Sequence, residues 1–276
     1  MIQPYEMELR MLYSNELFVP ISNYLIFSRK INSNVSSREK ETFRVYIVMP
    51  LIPGFEGQYG TSKATALQAI THWNYRSISQ GQQSLLARLA KEVGDPHRYI
   101  CFFGLRTWSE MNGRLVSEIV YVHSKLAIVD DYRVLIGSAN INDRSLVGDR
   151  DSEISVLFED TEFVRGMMNG EQVQVGKFAS NLRKRLFREH LGDFDGRQIN
   201  YQDPISNSFY KDTWLSTAAR NTTLFEKVCL EIECWRVCID EFLDCLDLSL
   251  YSNGFRIHFC STTRNSISTE TLRNQS

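Results

Sequence analysis

Apolar positions along the chain follow two periods. FRVYIVMPLI at 43–52 is a β-rich apolar run closed by Pro53-Gly54, which predicts a buried strand; 99–103 is a second such run. Residues 61–79 open with Thr61 and Ser62 as caps and continue with Leu67, Ile70, Trp73 and Asn74 at helical spacing. Residues 83–93 place Leu85, Leu86, Leu89 and Val93 on one helical stripe, with Gly94 as the stop. SEIVYVHSKLAIVDD, a turn and RVLIGS predict two or three strands over 117–137, and EISVLF at 153–158 a further one. Residues 173–191 read as an amphipathic helix with Val175, Phe178, Leu182, Leu186 and His190 inside and Gly192 at its end. Strands alternating with helices predict an α/β fold, a mixed sheet sandwiched between helices. Residues 1–20 read as irregular and 223–248 as helical in pattern. The polar, Ser/Thr-rich 261–276 is expected to be disordered, and no internal repeat is found.

Composition changes this picture little. The 276 residues suffice for one large domain or two small ones, and 43% hydrophobic with 23% charged content is ordinary for a globular chain. A formal net charge of −2 gives no overall pull toward a polyanion, so nucleic acid is not an expected partner. Cys229, Cys234, Cys238, Cys245 and Cys260 crowd the C-terminal part without a C-x-x-C pair, and reduced thiols in a cytoplasmic protein are expected. No apolar stretch reaches the ~18 residues of a spanning helix, and the acidic, apolar-poor N-terminus predicts no signal peptide. Any membrane contact is expected to be peripheral.

The candidate chemistry lies in the best-patterned β segment. On a continuous strand Tyr121, His123, Lys125 and Ala127 share one face, which sets an imidazole beside an ammonium. That pair suits a phosphoryl group: Lys125 neutralises non-bridging oxygens, while His123 attacks phosphorus or protonates the leaving oxygen. Asp130 has the opposite parity and reaches the site only if the chain turns at Asp130-Asp131. Downstream, Gly137 would allow close backbone approach to a ligand, and Ser138 and Asn140 offer neutral donors to phosphate oxygens. Among the carboxylates at 149–153, Glu153 is the candidate to fix a catalytic imidazole's tautomer. His72 reads as a packed histidine, and Arg183, Lys184, Arg185 and Arg188 as a solvated helix face, a reading that outweighs contact with anionic lipid headgroups. Ser145 has no base in its local sequence, so no serine hydrolase is read there.

HSKLAIVD followed by GSANINDRS resembles the H-x-K-x4-D-x6-G-S-x-N (HKD) motif of the phospholipase D superfamily, and every specified position is met. The segments RVYIVMPLIPGFEG, ALQAITHWNYRSI, FFGLRT, GDRDSEISV and DPISNSFYKDTWLSTAARNT extend the resemblance to the eukaryotic phosphatidylcholine-hydrolysing branch, over about 21–228. The expected organisation is an N-terminal segment 1–20, a catalytic half-domain 21–228 with its motif region at 118–145, and a divergent tail 229–276. The resemblance implies hydrolysis of phosphatidylcholine to phosphatidic acid and choline at a membrane surface, with no cofactor and no metal in the bond-breaking step. It also implies a phosphohistidine formed at a first HKD motif. His123, in the second, is then the general acid/base, Lys125 and Asn140 are phosphate ligands, Asp130 supports the motif and Glu153 partners an active-site histidine. An anionic phosphoinositide is a further lipid partner that the resemblance brings in.

The departures matter as much. No second H-x-K-x4-D is present: His72, His97, His190 and His258 all lack a lysine two residues later. In ISNYLIFS at 21–28, Ser22 and Tyr24 replace the Glu and Gln of the family's I-E-N-Q-x-F-I-S, and after Val228 the resemblance stops. Both ends fit a partial transcript or a gene-model error. The missing half-site is expected in cis upstream or from a second chain in trans, so little turnover is expected of this chain alone. Two rivals follow: a non-catalytic isoform that binds membranes or proteins, and a phosphodiesterase completed by homodimerisation.

Overall fold

The computed structural model describes residues 42–50, 52–54, 65–146, 149–193, 199–231 and 258–261. Its organising element is a strand pair buried on both faces. β1 (Val45–Val48) runs parallel to β2 (Ile100–Met111), in register from Val45↔Ile100 to Val48↔Phe103. Side chains alternate across a strand, so the pair feeds two cores. Ile47, Met49, Ile100 and Phe102 pack with Ile78, Leu85, Leu86 and Leu89 from α1 (Thr65–Ile78) and α2 (Leu85–Val93). Val48, Cys101, Phe103 and Leu105 pack on the other side. Their partners include Phe187 of α4 (Lys177–His190), Phe209, Tyr210 and Trp214 of a π-helical segment (Ser208–Leu215), and Ala218 of α5 (Ser216–Glu231). This helix–sheet–helix layering is the expected α/β sandwich. β9 (His258–Ser261) adds parallel to β2, from Phe103↔His258.

α2 carries the predicted stripe and Gly94 closes it at φ +77°; the structure adds an N-cap, the Ser84 hydroxyl accepting from Ala87 N at 3.3 Å. α1 departs from expectation. It buries Leu67, Thr71, Asn74, Tyr75 and Ile78, whereas Trp73 is 51% exposed and His72 beside it is exposed, not packed. The cap positions Thr61 and Ser62, residues 1–20 and nearly all of 232–276 lie outside the described residues.

Two hairpins differ from the sequence expectation. β2 continues to Met111 and returns as β3 (Arg114–Val120) through Asn112-Gly113, with φ +54° and +75°. β7 (Phe163–Met168) returns as β8 (Glu171–Gly176) through Asn169-Gly170, with φ +55° and +84°. Asn-Gly supplies the two left-handed positions of a type I′ turn. Residues 173–176, expected as helix, are therefore strand, and Val175 is buried there. α4 starts only at Lys177, where the Asp160 carboxylate, from before β7, accepts from Phe178 N at 3.0 Å and Ala179 N at 2.8 Å. Its inner face is Ala179, Ser180, Arg183, Phe187 and His190; Phe178 is 47% exposed.

Candidate active site

The motif forms a separate three-stranded antiparallel sheet: β4 (Lys125–Val129), β5 (Arg133–Gly137) and β6 (Ser155–Glu159). The β4–β5 register pairs Lys125 with Gly137, which brings the histidine–lysine step level with the Gly-Ser-Ala-Asn run. An open pocket of about 630 Å³ lies there, lined by His123, Ser124, Lys125, Leu126, Ile136, Gly137, Ser138, Asn140 and Leu182. His123, Lys125, Ser138 and Asn140 are thus brought together as expected.

The route by which they meet differs from a continuous strand. Residues 121–124 precede β4, and Val122 and Ala127 are both buried although a period of two forbids it. Val122 is drawn into the core with Phe103 and Trp214, so the chain kinks and leaves Tyr121, His123 and Ser124 exposed. The Tyr121 and His123 rings stack at 5.9 Å. Lys125 Nζ donates to the His123 carbonyl oxygen at 2.8 Å, which fixes ammonium against imidazole backbone.

Asp130 does not line the pocket. The chain does turn at Asp130-Asp131, with φ +52° and +49° and Tyr132 N donating to Val129 O at 2.9 Å. The turn sits at the far end of β4 from His123, and Asp130 is exposed on it. Asp131 carries the structure there. Its carboxylate accepts from Arg183 Nε at 2.7 Å and Nη2 at 2.6 Å, with side-chain exposures of 4% and 8%, and Arg183 Nη1 donates to Tyr201 O at 2.7 Å. Arg183 is therefore a buried anchor, not part of a solvated basic face. The fork-to-fork geometry matches a planar guanidinium to a carboxylate.

Glu153 is the keystone of the loop that carries Asn140. One of its oxygens accepts from Ser138 Oγ at 2.5 Å and the other from Ser145 Oγ at 2.6 Å. Those two bonds, with a smaller contribution from the Lys125 charge, hold its carboxyl below the usual carboxylate range. Ser138 Oγ also accepts from Ile154 N at 3.0 Å, and Ser145 Oγ, on the single turn α3 (Asp143–Leu146), accepts from Asn140 N at 3.1 Å. A hydroxyl has one hydrogen. With that hydrogen committed to Glu153, Ser138 braces the pocket and is not a donor to a bound phosphate. Asn140 lines the pocket, and its Oδ1 is buried with no hydrogen-bond partner.

Gly137 also serves the brace. A Cβ there would collide with the Ser155 side chain and approach Ile154 O to 2.7 Å, so the close approach it permits is to β6, not to a ligand. Sequence reasoning names Ser145, Tyr121 and Asp131 but gives none of them the part the structure assigns. The serine one turn beyond Asn140 and the second acid of Asp130-Asp131 were the available signals. Among the described residues no group of three His, Cys, Asp or Glu side chains could hold a metal ion, and no helix is long and apolar enough to cross a membrane.

The family model described as Phospholipase D matches residues 19–223. Human Phospholipase D1 is 47% identical over 221 residues, which cover 78% of this chain and 21% of that protein. Phospholipase D zeta 1 of Arabidopsis thaliana is 49% identical over 193 residues, 69% of this chain and 18% of the relative. Bovine Phospholipase D2 is 42% identical over 221 residues, 78% of this chain and 24% of the relative. The chain thus spans about a fifth of the length of these curated relatives. Among solved structures, NucT from Helicobacter pylori aligns over 57% of this chain and 80% of its own, at 18% identity and a TM-score of 0.26, a likeness too slight to carry an argument. The family-model match and the sequence identities together place the chain in the phospholipase D family of phosphodiesterases, in its eukaryotic, HKD-motif branch.

Proposed function

We propose that this chain supplies the second half-site of a phospholipase D that hydrolyses phosphatidylcholine to phosphatidic acid and choline at a membrane surface. The convergence of His123, Lys125 and Asn140 on one open pocket carries the reading. Lys125 and the Asn140 amide hold non-bridging oxygens and stabilise charge that grows on them during displacement. His123 protonates the departing choline oxygen and then takes a proton from the attacking water. The nucleophile that holds the phosphatidyl group is a histidine of the first motif. Glu153, kept anionic by its two serines, has lone pairs left to orient an imidazole from that half.

One imidazole cannot both hold phosphorus and protonate the leaving alcohol in the same step. The test is choline release from phosphatidylcholine vesicles, by this chain alone and with a half-domain that carries the first motif. Turnover is expected only with the complement, and His123→Asn should abolish it. Near-normal hydrolysis by His123→Asn would overturn the assignment.

A further inference from the structure

We infer that Tyr121 is a positioning residue for His123, and that position 54 is a glycine so that the tyrosine ring has room to do this. The inference rests on the acid/base reading of His123 above.

A general acid must present one ring nitrogen to the leaving oxygen within hydrogen-bond reach, so the plane of its imidazole has to be set. A hydrogen bond to the other nitrogen commonly does this. Among the described residues none reaches the His123 ring. The Glu153 carboxylate is committed to Ser138 and Ser145, and Lys125 Nζ holds the His123 carbonyl oxygen, not the imidazole. What the imidazole does touch is Tyr121, ring to ring, at 5.9 Å between centroids and 27° between planes. That separation belongs to offset aromatic pairs. A stack restrains the ring through its face and leaves both nitrogens free for proton transfer.

A tyrosine can orient a neighbour only if it is itself held. On its N-terminal side β3 ends at Val120, in register with Leu105 of β2. On its C-terminal side Val122 is buried in the core with Phe103 and Trp214. The backbone of Tyr121 is thus fixed on both sides, although the residue is 40% exposed.

The outer end of the ring stops on Gly54, which follows the buried Pro53 beyond β1. A Cβ at Gly54 would stand 2.7 Å from Tyr121 Oη and 2.9 Å from Cζ, closer than packed atoms come. Gly54 has no left-handed φ, so its value here is space. The contacts Gly54–Tyr121–His123 therefore tie the exit of β1 to the catalytic imidazole. Tyr121 is not part of the pocket's lining, so it acts on substrate through His123.

Two readouts separate this role from simple packing. In the full chain alone, carbon-13 relaxation of the His123 ring, assigned by its loss in His123→Asn, reports how firmly the imidazole is held. Tyr121→Leu keeps bulk and loses the ring plane, so His123 should become more mobile; Tyr121→Phe should match the wild type. Gly54→Ala pushes the phenol aside and should mobilise His123 too, but should add nothing in a Tyr121→Leu background. With the first-motif half-domain present, Tyr121→Leu should lower kcat for choline release about fivefold or more, with KM within about twofold, and Tyr121→Phe should restore it. An unchanged His123 ring in Tyr121→Leu, or a loss confined to KM, overturns the inference. Additive effects of Gly54→Ala and Tyr121→Leu overturn it equally. If the wild type with its complement releases no choline, the half-site reading fails, and ring relaxation alone decides whether Tyr121 holds His123.

Discussion

Arg183→Ala removes the partner of a carboxylate that has almost no access to water. Asp131 is 4% exposed and receives two guanidinium hydrogen bonds, at 2.6 and 2.7 Å. Stranding a buried charge in this way costs about 3–5 kcal/mol, a large share of the ~5–15 kcal/mol that holds a domain folded. The damage should spread, because Asp131 O also accepts from Gly176 N at 2.7 Å, at the start of α4. Asp131→Ala should cost a similar amount, since it leaves the guanidinium unpaired. The double variant should lose far less than the sum, which gives the pair a coupling energy of at least about 2 kcal/mol. The neighbouring motif aspartate is the internal control. Asp130 is exposed at φ +52°, so Asp130→Gly should change stability by no more than about 1 kcal/mol. Urea unfolding followed by circular dichroism, compared at constant m, reads all four variants. A cost below about 1 kcal/mol for Arg183→Ala, or equal costs for Asp130→Gly and Asp131→Ala, would refute the assignment of the anchor to Asp131.

Three further outcomes are expected. His190 is buried beside Trp214, and desolvation lowers its pKa from 6.5 to about 4. The unfolded chain therefore takes up a proton that the folded one refuses, so stability should fall by roughly 3 kcal/mol as pH drops from 6.5 to 4; His190→Gln should flatten that slope in acid unfolding curves. Gly137→Ala drives a Cβ into the Ser155 side chain and the Ile154 carbonyl just before β6, and should cost about 1–3 kcal/mol in thermal unfolding and weaken any phosphate binding at the pocket. Ser145→Ala removes one of the two hydroxyls that hold Glu153 charged, so the Glu153 carboxyl should titrate at higher pH in a carbon-detected NMR titration; an unmoved midpoint would refute the keystone role.

The sandwich was readable because β1 and the first part of β2 are short apolar runs and α2 ends its clean stripe at Gly94. The two Asn-Gly hairpins do not show in apolar periodicity, because their flanking strands are mixed in character; the dipeptide itself is the local signal. Phe178 falls on the apolar stripe read as the inner face of its helix and Trp73 at helical spacing in its own, yet the structure leaves both about half exposed. Local pattern cannot show that Arg183, in a run of basic residues, has a carboxylate 52 positions away in reach. In the pocket, His123, Lys125 and Asn140 were legible from motif spacing alone. The serine–glutamate brace was not, because a hydroxyl's single hydrogen is assigned only when all of its neighbours are known.

The two faces of β1 and β2 restrict how the chain can vary in length. Tyr46 and Val48 serve one core, Ile47 and Met49 the other. A single-residue insertion or deletion within either strand would exchange the two sets at once and spoil both helical layers, with no compensating shift open to either. Length change in this fold should therefore be confined to the connections between elements, and the spacing of residues along β1 and β2 should stay fixed even where the residues themselves are replaced.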